Sequence, residues 1–161
     1  MSIEPLCVIF IVGTSHEAYQ IRPQDGPQDG ADAFTQHVLQ LVRTHACATI
    51  AEEMSVEPLR GRSTVGYEVA EEENLFHIFC DPTCSERQAL GISKDHTPLN
   101  AEKREKEWLR RMRSCIYPVL FVCGANHVCS FAERCRYEGL APTIATYNFE
   151  ASEIPLARRI F

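Results

Sequence analysis

Cys7-Val8-Ile9-Phe10-Ile11-Val12-Gly13-Thr14-Ser15-His16 and Val119-Leu120-Phe121-Val122-Cys123-Gly124-Ala125-Asn126-His127 read alike: a short apolar run, a glycine, and a histidine three residues later. A strand wetted on one face alternates apolar and polar residues. A run that is apolar at every position needs cover on both faces, which is the situation of a parallel strand between two helical layers. Three further runs have this character, Ala48 to Ala51, Leu75 to Cys80 and Thr143 to Tyr147, and the stretches between the five read as helix. Right-handed crossovers join such elements. The expected fold class is therefore α/β, a three-layer sandwich with a mainly parallel sheet of about five strands.

The connections support this reading. Pro23-Gln24-Asp25-Gly26 repeats as Pro27-Gln28-Asp29-Gly30, a tandem turn former that reads as loop. A helix is expected from Ala31 to His45, with Phe34, Val38, Leu41 and Val42 forming its apolar stripe. After Gly61 a second helix runs from Ser63 to Glu73, with Ser63 or Thr64 as its cap. Between the third and fourth strands, Asp81 to Asn100 is irregular and Ala101 to Cys115 helical, and residues 84–100 are the natural lid of a site at the sheet edge. A last helix runs to Tyr137 and is stopped by Gly139 before Pro142 opens the fifth strand. The stretch from Glu150 to Phe161 carries no assignment.

At 161 residues the chain fits a single domain over 1–161, and its 45% apolar and 24% charged residues are those of a packed globular protein. A net charge of -6 argues against nucleic acid as a partner, since binding its phosphates needs a basic face. The basic residues from Lys103 to Arg113 are interleaved with Glu102, Glu105 and Glu107, as on a solvated, ion-paired helix. The run from Leu6 to Val12 is too short to span a membrane and lacks the basic flank of a signal peptide, so the expected location is cytoplasmic, with no membrane partner. Seven of the eight cysteines, Cys7, Cys47, Cys80, Cys115, Cys123, Cys129 and Cys135, lie in apolar segments and read as buried thiols. The C-x3-C spacing of Cys80 and Cys84 gives little support for a structural zinc site.

In an open parallel sheet the functional crevice lies beyond the carboxyl ends of the strands. Those ends are polar here: His16 follows the first strand, Glu52 and Glu53 the second, Asp81 the third, Asn126 and His127 the fourth, and Asn148 the fifth. Glycine lets the chain turn sharply out of the sheet, and the histidine beyond it can point back into the crevice. Two imidazoles with one or two carboxylates can act as general acid and base, or can hold a divalent metal ion through His16, His127 and Glu53. Adjacent residues of a strand face opposite sides, so one of Glu52 and Glu53 is expected to enter the site unless the strand has already ended. Asp81 before Pro82 suits a turn, a cap or a ligand equally, Asn126 suits a cap or a substrate contact, and His77 inside a strand reads as a packing residue. Cys123 and Cys129 have no cationic neighbour to lower their pKa, which disfavours thiol chemistry, and there is no phosphate-binding glycine loop.

The residues Gly13-Thr14-Ser15-His16, Glu52-Glu53 and Gly124-Ala125-Asn126-His127 resemble, in kind and order, the motifs of the TraB/TIKI, ChaN and erythromycin-esterase superfamily, in which two Gly-x-x-His motifs bracket a glutamate pair. The resemblance covers about a dozen positions spread over most of the chain. It implies a hydrolase-like α/β scaffold shared by metal-dependent proteases, an esterase of a macrolide ring and a haem-binding lipoprotein. This chain lacks the helical insertions that enclose larger substrates in that group.

The expected function is a small hydrolase, metal-assisted or not, acting on a small-molecule substrate. His16 serves as general base or ligand, Glu52 or Glu53 as its carboxylate partner, and His127 as second ligand or transition-state stabiliser. The alternative is a non-catalytic module that binds a small ligand or a metal ion in the same pocket. Trp108 and Leu109 are expected to anchor their helix to the sheet. Arg104 and Arg111, seven residues apart and so on one face, would meet an anionic group of the substrate or solvent, with solvent expected for each taken singly.

Overall fold

The computed structural model describes residues 6–151. Five strands, β1 (Val8–Thr14), β2 (Thr49–Glu52), β3 (Phe76–Phe79), β4 (Val119–Gly124) and β5 (Ala141–Thr146), form one sheet of order β3-β2-β4-β1-β5, parallel throughout. The helices are α1 (Asp29–Thr44), α2 (Val65–Glu72), α3 (Cys84–Ala89), α4 (Pro98–Met112) and α5 (Val128–Tyr137).

Alternation along the strands builds two cores. Ile9, Ile11, Ala51, Val119, Phe121 and Cys123 face Trp108, Leu109 and Met112 of α4 and Phe131, Ala132 and Cys135 of α5. Val12, Ile50, Leu120 and Val122 face Ala31, Phe34, Val38 and Val42 of α1 and Val65 and Val69 of α2. The sheet thus lies between α1 and α2 on one side and α4 and α5 on the other, the three-layer sandwich that continuous apolar strands require. Burying each large apolar side chain stabilises such a core by about 1.5–3 kcal/mol. Among the described residues no helix is long and apolar enough to cross a membrane.

Several boundaries differ from expectation for local reasons. α1 begins at Asp29, so the second half of the tandem repeat runs into the helix and the acidic residues Asp29 and Asp32 sit in its first turn, where they suit the helix dipole. α4 begins three residues early because the Thr97 hydroxyl accepts from the Asn100 N–H and Pro98 takes the first helical position, which needs no donor. The irregular stretch from Asp81 to Asn100 contains α3, closed at its start by a reciprocal Thr83–Glu86 capping box. Phe76 is 62% exposed, because β3 is an edge strand and lacks the full cover of β4. Cys47, Cys80, Cys123 and Cys135 are buried and Cys7 and Cys115 half-buried, whereas Cys129 is exposed. It lies one residue off the stripe formed by Val128, Phe131, Ala132 and Cys135.

Candidate active site

From β1 the chain passes to the α1 layer and from β4 to the α5 layer, so the segments leaving these neighbouring strands diverge and a crevice opens between their carboxyl ends. Each Gly-x-x-His places its histidine at this divergence. His16 opens a π-helical turn over His16–Gln20, capped by the Ser15 hydroxyl, and His127 closes a 3-10 turn over Ala125–His127. The two glycines serve different ends. A Cβ at Gly13 would stand 2.0 Å from the Tyr147 carbonyl oxygen, so this glycine admits the chain leaving β5. A Cβ at Gly124 would stand 3.3 Å from His16 Nε2, 3.4 Å from Glu53 Oε1 and 2.9 Å from Asn126 Oδ1, so this one lets those three side chains close over the end of β4.

Glu53 lies at the centre. Its N–H donates to the Val122 carbonyl at 2.8 Å, extending the pairing one residue past β2, and its side chain turns toward the α4 and α5 layer. Oε1 accepts from the Gly124 N–H at 2.9 Å and stands 3.6 Å from His16 Nε2. Oε2 accepts from the Arg104 guanidinium at 2.7 Å and stands 3.8 Å from His127 Nε2. Burial alone would raise the Glu53 carboxyl, but His16, Arg104 and His127 outweigh it and hold it at about 2. Burial likewise pulls the His16 imidazole down, while Glu53 and Gln20 overcome that and the opposing Arg104 to raise it above its ordinary 6.5.

Both imidazoles are held from behind. His16 Nδ1 is hydrogen-bonded to Gln20 Oε1, and His127 Nδ1 is 3.1 Å from Glu105 Oε1. A carbonyl or carboxylate oxygen accepts, so each Nδ1 presents its proton and each Nε2 turns to Glu53. Glu105 is buried, also accepts from the Ser130 hydroxyl at 2.5 Å, and has the Arg134 Nε 3.5 Å away. The Trp108 ring packs edge-on against His127, with centroids 5.0 Å apart.

Arg104 continues the network. Its Nε donates to Asp81 Oδ1 at 3.0 Å, its guanidinium lies over Trp108, and Asp81 also accepts from Trp108 Nε1 and from Arg87. A cavity of about 210 Å³ adjoins the site, lined by Asp95, His96, Thr97, Pro98, Arg104, Asn126 and His127 among others. The segment expected as a lid therefore borders the crevice through residues 95–100.

The structure brings together His16, Glu53, His127, Arg104 and Asp81, with Asn126 at the cavity wall. It does not bring in Glu52. As the last residue of β2 it points toward α2, wholly buried, and accepts from Gln20, Thr64 and His77. Arg104 is not turned to solvent but spans two buried carboxylates, whereas Arg111 pairs with Glu107 and Glu86 and does not reach the site. Two turns of helix separate these arginines by about 10 Å along the axis, too far to converge on one small group. Sequence reading missed Gln20 and Glu105. Each carries a signal: Gln20 follows His16 by four residues in a helical turn, and Glu105 occupies the stripe of Trp108, Leu109 and Met112, where an unpaired carboxylate would be costly.

Of the donors expected to hold a divalent ion, Glu53 Oε2 is taken up by the Arg104 guanidinium at 2.7 Å while Oε1 faces His16, and among the described residues no group of three or more His, Cys, Asp or Glu side chains is arranged to hold a metal ion. Comparison with protein-family models, with curated proteins and with solved structures gave no match.

Proposed function

We propose that the chain is a small hydrolase-like protein working by general acid–base chemistry on an ester, amide or phosphoester of modest size. The observation that carries this is the pair of imidazoles, each with its Nδ1 proton held and its Nε2 turned to one buried carboxylate, at 3.6 and 3.8 Å, beside a cavity that His127 helps to line. His127 takes a proton from the attacking water at Nε2, and Glu105 stabilises the imidazolium that forms. His16, charged against Glu53, gives its Nε2 proton to the leaving group. Glu53, held at about 2, stays ionised throughout and acts as an electrostatic anchor rather than a base. These roles invert the sequence expectation of His16 as base. The segment over residues 84–100 contributes cavity wall through Asp95 to Pro98 and Asn100, and these residues select the substrate.

A second reading, a binding module without turnover, is favoured by Glu53 itself, since both of its oxygens are already engaged. The test is turnover across a panel of esters, amides and phosphoesters, with and without chelator, for the wild type, His16→Ala and His127→Ala. Turnover that survives chelator and is lost in both variants supports the acid–base reading. Turnover that appears only with an added divalent ion assigns the site to metal-assisted hydrolysis, and saturable binding without turnover assigns it to the module.

A further inference from the structure

We propose that Glu52 is a positioning residue for His16, acting through Gln20. By setting the orientation of the Gln20 amide, it keeps the proton of the neutral His16 imidazole on Nδ1 and makes Nε2 the nitrogen that exchanges protons with the crevice. The inference rests on the reading of His16 as a proton-exchanging group.

The reasoning is donor and acceptor parity. Glu52 is fully buried, and its carboxylate meets Gln20 Nε2 at 3.0 Å, Thr64 Oγ1 at 2.6 Å and His77 Nε2 at 2.6 Å. A carboxylate only accepts, so Gln20 turns its NH2 group to Glu52. The amide has one carbonyl left, and that oxygen lies against His16 Nδ1. A carbonyl also only accepts, so Nδ1 donates to it; Glu53 Oε1 accepts too, but at 3.6 Å it stands outside hydrogen-bond reach of Nε2, so the single proton of the neutral ring stays on Nδ1 and the lone pair falls on Nε2. His127 reaches the same state by a shorter route, with Glu105 directly at its Nδ1.

The amide matters because it transmits orientation without charge. A carboxylate in direct contact with His16 Nδ1 would add a second anion to a ring that already faces Glu53. Gln20 keeps the Glu52 charge one residue away while passing on its polarity. The surroundings are fitted to hold this geometry. Gln20 and Thr64 are fully buried, and Gly66 is required, since a Cβ there would stand 2.5 Å from the Glu52 carboxyl carbon. Thr64 does two jobs, donating to Glu52 and accepting from the Tyr67 N–H as the cap of α2, so the helix is tied to the same relay.

The test is 15N NMR of the histidine ring nitrogens in the full-length protein without substrate, at a pH above the midpoint of the His16 titration, with His16 assigned from His16→Ala. In the wild type His16 should show a protonated, pyrrole-like Nδ1 and a pyridine-like Nε2. In Glu52→Gln the Gln20 amide can reverse and offer NH2 to His16, so the two resonances should move toward the opposite assignment. Gln20→Leu removes the acceptor and should also lose the Nδ1–H preference, and either variant alone suffices if the other does not fold. The His127 pattern should stay put in both. A wild-type ring protonated at Nε2, a His16 pattern unchanged in the variants, or an equal change at His127 overturns the relay. The readout needs no turnover, so an inactive protein with the expected tautomer defeats the hydrolase reading and leaves the relay standing.

Discussion

Replacing Arg104 by methionine tests the electrostatic core of the site. Glu53 is 5% exposed, and its carboxyl falls from an ordinary 4.5 to about 2. At about 1.4 kcal/mol per tenfold change in acidity, that fall corresponds to about 3 kcal/mol of stability from Glu53. Because the folded value is the lower one, this contribution is fully present above 4.5 and is lost as the pH falls toward about 2. Arg104 supplies only part of it, beside His16 and His127, but it also pairs with Asp81. Removing one partner of a buried pair strands the other, at a cost of about 3–5 kcal/mol. Arg104→Met should therefore lose about that much at neutral pH, read by urea unfolding, with a loss that shrinks as the pH falls from 4.5 toward about 2 and Glu53 takes up a proton. Adding Glu53→Gln should recover part of the loss, since an amide needs no counter-charge. A cost below about 1 kcal/mol, unchanged across that pH range, would refute the claim that Arg104 holds Glu53 ionised.

Further outcomes follow from the same geometry. Gly124→Ala should fold with a loss of about 1 kcal/mol, because the exposed Asn126 can swing aside, yet lose turnover or ligand binding, since the new methyl intrudes between His16 and Glu53; unfolding and activity measured on one sample separate the two effects. The His16 titration followed by NMR should have its midpoint above 6.5 and fall in Glu53→Gln; with the folded value raised, the stability His16 adds is present below 6.5 and lost as the pH rises through that midpoint. In native protein Cys84 and Cys129 should react with a thiol reagent while Cys47, Cys80, Cys123 and Cys135 react only after denaturation, burial having pushed Cys47 to about 11 and Cys135 to about 12. Shortening residues 86–98 to a tight linker should weaken ligand binding in a protein that still unfolds cooperatively; binding equal to the wild type in such a protein rules out the lid.

The sequence alone determined the strand set, the layering and the sheet edge at which the candidate residues gather. Continuous apolar runs such as Ile9 to Val12 and Val119 to Cys123 can be buried only between two layers, and a parallel sheet puts the residues that follow its strands on one edge. His16, Glu53 and His127 were visible for that reason. What depends on side-chain direction was decided by the tertiary structure. Glu52 and Glu53 are chemically identical neighbours, and only the pleat of β2, set by its pairing with β3 and β4, sends one to α2 and the other to the crevice. Arg104 and Arg111 are alike in sequence, yet only the first lies opposite Glu53 and Asp81 when α4 packs on the sheet. Gln20 and Glu105 have no meaning until folding sets them behind the two imidazoles. Local pattern fixes which face of an element is apolar, whereas the partner of a polar group is fixed by contacts between segments distant in the chain, which pattern does not encode.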